Sequence, residues 1–221
     1  MDEGIYEQAF EYTTPSPERI EKFLNYRQIY QAAIKEVTTK LEILDEEFRV
    51  SHEYNPIHHI ESRLKTPKSI LKKLERKQLS QTEEAMQEHI HDIAGVRVIC
   101  NYIEDIYTIS KLLIEQSDIV LLRKRDYISH PKENGYRSLH LLVSVPVFLS
   151  QGVQPVKVEV QIRTIAMDFW ASLEHHLKYK AEDEISEDLR CRLKQSAERI
   201  SEIDTEMQAI YRELRKEKHQ S

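Results

Sequence analysis

Glycine is scarce in this chain: four residues among 221. None of them forms a G-x-G-x-x-G or Walker A pattern, so any nucleotide phosphates must be held by side chains rather than by a glycine cradle. Cysteine is scarcer still. Cys100 and Cys191 stand far apart, make no disulfide framework and no metal motif, and suit a reducing cytoplasm. No apolar run approaches a membrane span, and the acidic opening MDEGIYEQAF has no apolar signal segment. Net positive charge is missing as well. The formal net charge of −6 argues against a stable nucleic-acid partner. There is no internal repeat and no low-complexity segment.

What remains is a soluble, globular composition, 40% hydrophobic and 32% charged, long enough for one domain with helical extensions. The charge is uneven. From Arg63 to Lys77 there are seven Lys or Arg against one Glu, and from Arg123 to Arg137 five against two acids. Basic clusters in an acidic protein suit a compact polyanion such as a nucleotide; two solvated lysine-rich surfaces account for the charge equally well.

Residues 1–17 show no period and read as a tail. From Ile20, apolar residues recur at Tyr30, Ile34, Val37, Leu41, Leu44 and Phe48, a spacing that predicts a long amphipathic helix, which HEYNPIHH breaks. Pro67 opens a second helix with Ile70, Leu71 and Leu74 on its buried side. VRVICNYI reads as a strand, EDIYTISKLLIEQ as a helix, and IVLLRKRDYI, SLHLLVSVPV and VKVEVQIRT as further strands. A helix from about Ile165 to Lys180 and a last long one marked by Ile185, Leu189, Leu193, Ile200, Ile203, Met207, Ile210 and Leu214 follow. The order helices, βαβββ, helices predicts an α+β domain on a mixed sheet with long flanking helices. The expected units are a tail, a domain over 18–182 and a C-terminal helix over 183–221. That helix serves either its own domain or an oligomer contact.

The stretch VKVEVQIRT alternates Val156, Val158, Val160 and Ile162 with Lys157, Glu159, Gln161 and Arg163. Glu and Gln are poor strand formers, and the apolar helix that follows places the strand inside the domain. Its polar face is therefore either solvated or the floor of a site. Asp92, just ahead of a strand, could meet Glu159 across the sheet. Two carboxylates with substrate phosphates are what Mg²⁺ requires, although Asp92 alone reads as readily as a turn residue. Ser69, Lys73 and Arg76 share one helix face, with Lys65 at its entrance, and could bind phosphates. HPKENGYRSLH presents Lys132, Tyr136, Arg137 and His140 together, able to stack on a base and hold anions, or simply forming a hairpin turn. His91-Asp92 also admits a metal phosphohydrolase, but that chemistry needs further histidines on helices, and a β-branched run follows instead. The pairs His58-His59 and His175-His176 could in principle bind a metal, but they read as surface or packing residues, because adjacent side chains tend to diverge.

Taken together, SRLKTPKSILKK, HDIAGVRV, RDYISHPKENGYRSLH and VEVQIRTIAMDFWASLEH resemble the synthetase domain of the RelA/SpoT family, in family order from Arg63 to Lys180. The length is similar to the stand-alone small alarmone synthetases. The resemblance implies a nucleotidyltransferase-like α+β fold and transfer of the β,γ-pyrophosphate of ATP to the ribose 3′-hydroxyl of GDP or GTP. It implies Mg²⁺ on Asp92 and Glu159, with Glu159 as general base and Gln161 orienting it. Arg63 and Arg97 would sandwich adenine, and Lys65, Ser69, Lys73 and Arg76 would hold ATP phosphates. Tyr136 would stack on guanine, and Arg125, Lys132, Arg137 and His140 would manage the acceptor's phosphates. Asp168, where some relatives carry Asn, would accept from guanine's N1–H and N2 amine. His59 and Glu61 depart from the product-activated RelQ pattern and favour a RelP-like member. A homotetramer is the expected assembly. The competing expectations are a transferase moving AMP and a catalytically idle nucleotide- or RNA-binding module.

Overall fold

The computed structural model describes residues 17–180 and 186–218. The expected tail lies outside them apart from Pro17, as does the expected junction between residues 182 and 183. Helix α1 (Pro17–Ser51) follows the expected stripe: Tyr30, Ala33, Ile34, Val37 and Leu41 are buried against the back of the sheet. Strand β1 (Ile57–Leu64) comes next, followed by α2 (Pro67–Arg76), α3 (Glu83–His89) and β2 (Ala94–Cys100). Helix α4 (Ile103–Ile114) leads into β3 (Val120–Asp126), β4 (Leu139–Leu149) and β5 (Gly152–Thr164). The chain ends in α5 (Ile165–Lys180) and α6 (Glu187–Lys218).

The sheet order is β1-β2-β5-β4-β3, with β2 and β5 parallel and the other pairs antiparallel. VKVEVQIRT is thus the central strand. Val156, Val158, Val160 and Ile162 are fully enclosed, while Glu159 and Gln161 emerge on the opposite face. The β-branched residues suit this pleated, fully covered position, and the polar alternation sets the register that aims the carboxylate.

Two elements were not legible in the sequence. β1 overlaps the end of HEYNPIHH, the stretch read as a helix break, and runs on to Leu64. It is an edge strand with few apolar residues, and a register shift between Ile57 and His59 blurs its alternation. His58 and His59 lie at the surface, as expected, but their side chains converge instead of diverging, with the Nδ1 atoms 2.7 Å apart. α3 is seven residues long, buries none of them fully, and is marked mainly by its Thr82 cap, which accepts from the Ala85 N–H. His175 and His176 are exposed on α5, as expected.

α6 folds back on the domain. The Thr164 hydroxyl donates to the buried Asp204 carboxylate at 2.6 Å, and Trp170 Nε1 donates to the Leu193 carbonyl at 3.1 Å. Gln208 accepts from the Glu104 N–H at 2.9 Å. Ala197 presses on Gly135, where φ is +87° and an added Cβ would come within 2.6 Å of the alanine methyl. The opposite side of α6 leaves Ile203, Met207, Ile210 and Leu214 exposed. The helix therefore serves its own domain with one face and keeps a second apolar face.

Candidate active site

Two rows of residues cross the polar face of the sheet from edge to edge. Arg125, His140, Gln161, Arg97 and Glu61 are successive register partners from β3 to β1. One step along the strands, Arg123, Leu142, Glu159, Gly95 and Arg63 form the second row. Gly95 puts no side chain between Glu159 and Arg63, so the floor is open beside the carboxylate.

The β1–α2–β2 side carries the expected donor residues. Thr66 caps α2 by accepting from the Ser69 N–H, and Pro67 stands in its first turn, where no N–H is needed; such a cap is worth about 1 kcal/mol. Ile70 and Leu74 bury one face, and Lys73 reaches the turn before β2. There Lys65 Nζ lies 3.0 Å from Asp92 Oδ2, and Lys73 Nζ 2.8 Å from Oδ1. Burial pushes the Asp92 carboxyl up, but the two ammonium groups outweigh it and hold Asp92 below the usual carboxylate range. Arg63 and Arg76 are exposed, and the Ser69 hydroxyl contacts Thr66 Oγ1 at 2.8 Å. Arg97 bonds through Nη1 to Glu61 at 3.2 Å and approaches Asp168 at 3.4 Å, while its Nε is buried without a partner.

The β4–β5–α5 side is a closed network. His140 Nδ1 lies 3.6 Å from Glu159 Oε1, and Gln161 Nε2 donates to Oε2 at 2.9 Å. Burial raises the Glu159 carboxyl and the Asp92 charge opposes its ionisation. His140 and Gln161 outweigh both, leaving it below the usual range and ionised at neutral pH. Tyr136 Oη and His140 Nε2 are 2.8 Å apart. The Lys132 ammonium sits 4.5 Å over the Tyr136 ring and 4.7 Å over Tyr127.

Arg125, on the same row as His140, donates to Tyr127 at 3.4 Å. Arg137 donates to the Gly135 carbonyl at 3.1 Å and the Ala197 carbonyl at 3.5 Å, bracing the loop against α6 rather than joining the cluster.

Three contributors were missed in the sequence. Glu61 fixes Arg97, and Tyr127 meets His140 edge to face at 5.1 Å. Arg163 is 5% exposed yet charged. Its signal was present: it is the fourth polar residue of the alternating stretch, on the same face as Glu159 and Gln161.

Among the described residues no group of three or more His, Cys, Asp or Glu could hold a metal ion. Asp92 and Glu159 are two carboxylates near enough that the Asp92 charge acts on Glu159. This fits a hard divalent cation completed by phosphate oxygens and water.

The profile of the family described as "Region found in RelA / SpoT proteins" matches residues 62–184. The GTP pyrophosphokinase YwaC of Bacillus subtilis is 45% identical over 195 residues, covering 88% of this chain and 93% of that protein. Among solved structures, small alarmone synthetase 1 of Bacillus subtilis bound to its product pppGpp superposes with a TM-score of 0.82 at 36% identity. It covers 87% of this chain and 98% of that one. Small alarmone synthetase 2 of the same organism gives 0.80 at 44%, covering 87% and 99%. With the central EVQIRT strand, the Asp92–Glu159 pair and the Tyr136 loop in one site, and relatives matched over nearly their whole length, the chain belongs to the RelA/SpoT family.

Proposed function

We propose that this chain is a (p)ppGpp synthetase that moves the β,γ-pyrophosphate of ATP to the ribose 3′-hydroxyl of GDP or GTP and releases AMP. The observation that carries the reading is Glu159. It is an ionised, half-buried carboxylate on the central strand, with phosphate-binding cations on one side and an aromatic, base-sized cluster on the other. The 3′-hydroxyl gives its proton to Glu159 as its oxygen bonds to the β-phosphorus. The bond between that phosphorus and the bridging oxygen breaks, and AMP leaves with the electron pair. Little covalent chemistry is asked of the protein, whose work is positioning and charge neutralisation.

Arg63 and Arg97 take the two faces of adenine, and Lys65, Ser69, Lys73 and Arg76 take the ATP phosphates. Lys65 and Lys73 pass from Asp92 to those phosphates when the donor enters. Asp92 and Glu159 would hold Mg²⁺, which would neutralise charge developing on the phosphates. Tyr136 stacks on guanine once Lys132 swings from its face to the acceptor's phosphates, joined by Arg125. Gln161 orients Glu159, and Asp168 reads the base edge. His140 belongs to the same acceptor group and also holds Glu159, whereas Arg137, turned to the Gly135 and Ala197 carbonyls, supports the loop that carries Tyr136. Glu61, here engaged with Arg97, departs together with His59 from the product-activated RelQ pattern, and the proposed member is RelP-like.

The catalytic unit spans 18–182, and the C-terminal helix of 183–221 makes the contact of a homotetramer through its exposed apolar face. No helix among the described residues is long and apolar enough to cross a membrane. The proposed setting is the cytoplasm, with nucleotides and no nucleic acid as partners.

The test is direct: incubate the protein with Mg²⁺, GDP or GTP, and ATP labelled in the γ-phosphate, then separate the nucleotides. Label in a guanosine product with stoichiometric AMP is expected. Labelled pyrophosphate with AMP attached to an acceptor would instead show an AMP transferase. No product with either acceptor would leave a binding module.

A further inference from the structure

Arg163 is the most buried charge of the site, and its four polar contacts are all to groups around the acceptor. Nη2 donates to Tyr136 Oη at 2.6 Å and to Gln161 Oε1 at 2.9 Å. Nη1 donates to Asp168 Oδ1 at 3.0 Å, and Nε to Ser138 Oγ at 3.4 Å. A guanidinium can only donate. That fact fixes the direction of the bonds it makes. Gln161 must turn its oxygen to Arg163, so its amide N–H₂ faces and donates to Glu159 Oε2. Tyr136 Oη accepts from Arg163 and lies 2.8 Å from His140 Nε2, and the other imidazole nitrogen stands 3.6 Å from Glu159 Oε1. Two lines of contacts thus start at one buried cation and end beside the two oxygens of one carboxylate.

Asp168 is set by the same group. Arg163 and Arg97 both engage Oδ1, and neither contact uses Oδ2, which stays available to accept from a base. Ser138, fully buried, donates to the Ile162 carbonyl at 3.3 Å and so ties the Arg163 Nε to the strand itself.

We propose that Arg163 is the positioning residue of the acceptor site. It holds Tyr136, Gln161 and Asp168 in one fixed hydrogen-bond polarity, and thereby sets acceptor affinity and the preference for guanine. The proposal rests on the reading of this side as the guanine site. A donor-only fork with several simultaneous partners is a role that Lys fills poorly and Gln, which can also accept, fills in two orientations.

The experiment compares wild type, R163K and R163Q by steady-state transfer with GDP and with inosine diphosphate, which lacks the N2 amine, and by calorimetric binding of GDP. R163Q is expected to raise the KM and Kd for GDP at least about tenfold while the KM for ATP stays within about threefold. Its preference for GDP over inosine diphosphate should fall by a similar factor, with R163K intermediate. A residue that only supports the fold would lower kcat through a smaller active fraction and leave the GDP KM and the base preference unmoved; that result overturns the proposal. Should R163Q and R163K fail to fold, Y136F keeps the stacking ring and deletes only the hydroxyl that Arg163 and His140 share. An unchanged GDP KM in Y136F overturns the proposal, and a several-fold rise supports it. Wild-type protein that neither binds nor modifies GDP would overturn the acceptor reading and this proposal together, whereas an active wild type with an unaltered R163Q overturns the proposal alone.

Discussion

The two sides of the sheet's polar face are built on different principles. On the β1–α2–β2 side, cations outnumber their partners and the lysines reach Asp92 on long, partly exposed side chains. On the β4–β5–α5 side, every polar group around Tyr136 has a partner, and the charge at its centre is buried. The difference follows from what each side is proposed to bind. A polyphosphate brings its own charge and tolerates mobile point cations, so affinity comes from the number of ammonium groups. A neutral base edge offers only hydrogen bonds, and discrimination there requires donors and acceptors fixed in advance, since a mispaired buried group costs about 1–3 kcal/mol.

Glu159 stands at the border, and its substitution is the sharpest way to break the comparison. E159Q keeps an oxygen to accept from Gln161 and nearly the same shape, so both binding sides should survive. Loss of the base should lower kcat about a thousandfold. Single-turnover transfer with separate ATP and GDP binding titrations checks it. Near wild-type turnover would show that the proton goes elsewhere.

A smaller effect tests the donor side alone. K73A removes one of the two cations on Asp92 and one of the cations assigned to the ATP phosphates. The KM for ATP should rise about tenfold, the scale of one charge-assisted bond, with the KM for GDP within about twofold. A matched rise in both constants would mean that the two sides are not separable.

The sequence carried the central strand well, because β-branched residues on one face and Glu, Gln and Arg on the other state both the register and the buried position of VKVEVQIRT. The long helices were legible for a similar reason, through sustained three-four spacing. β1 was not, since an edge strand needs few apolar residues and its irregular start at Ile57 and His59 hides the alternation. Asp92, Glu159 and Tyr136 were singled out by residue type and turn chemistry, and their proposed roles come from the family resemblance. Arg163 was passed over as one more polar residue on an alternating face. Its importance depends on partners 25, 27 and 5 residues away, at Ser138, Tyr136 and Asp168, which converge only in the folded chain. Arg137 shows the converse: residue type and loop position suggested an anion contact, while the packing of α6 beside Gly135 draws it to backbone carbonyls.

That packing also separates the two sides, since α6 braces the acceptor loop and the end of β5 through Ala197, Asp204 and Leu193. Asp204 makes the connection sensitive to pH. Burial raises its carboxyl above the usual range, and the bond from Thr164 only partly offsets this. The folded state therefore binds the proton more tightly than the unfolded chain. The sign follows: this contribution to stability is fully present below the unfolded pKa of about 3.8–3.9 and is lost as pH rises through the folded value. Above the folded value the ionised carboxylate carries its burial cost. Asn at this position still accepts from Thr164 without a charge. D204N should thus melt a few degrees above wild type at pH 7, the scale on which about 1 kcal/mol moves the midpoint of a chain this size. The gap should close as pH falls toward 4. Asp105, also raised by burial, titrates in both proteins, so the difference between the two melting curves isolates Asp204. A gap that stays constant with pH would assign the effect to packing, and D204N melting below wild type at pH 7 would show that the charge itself holds α6 in place.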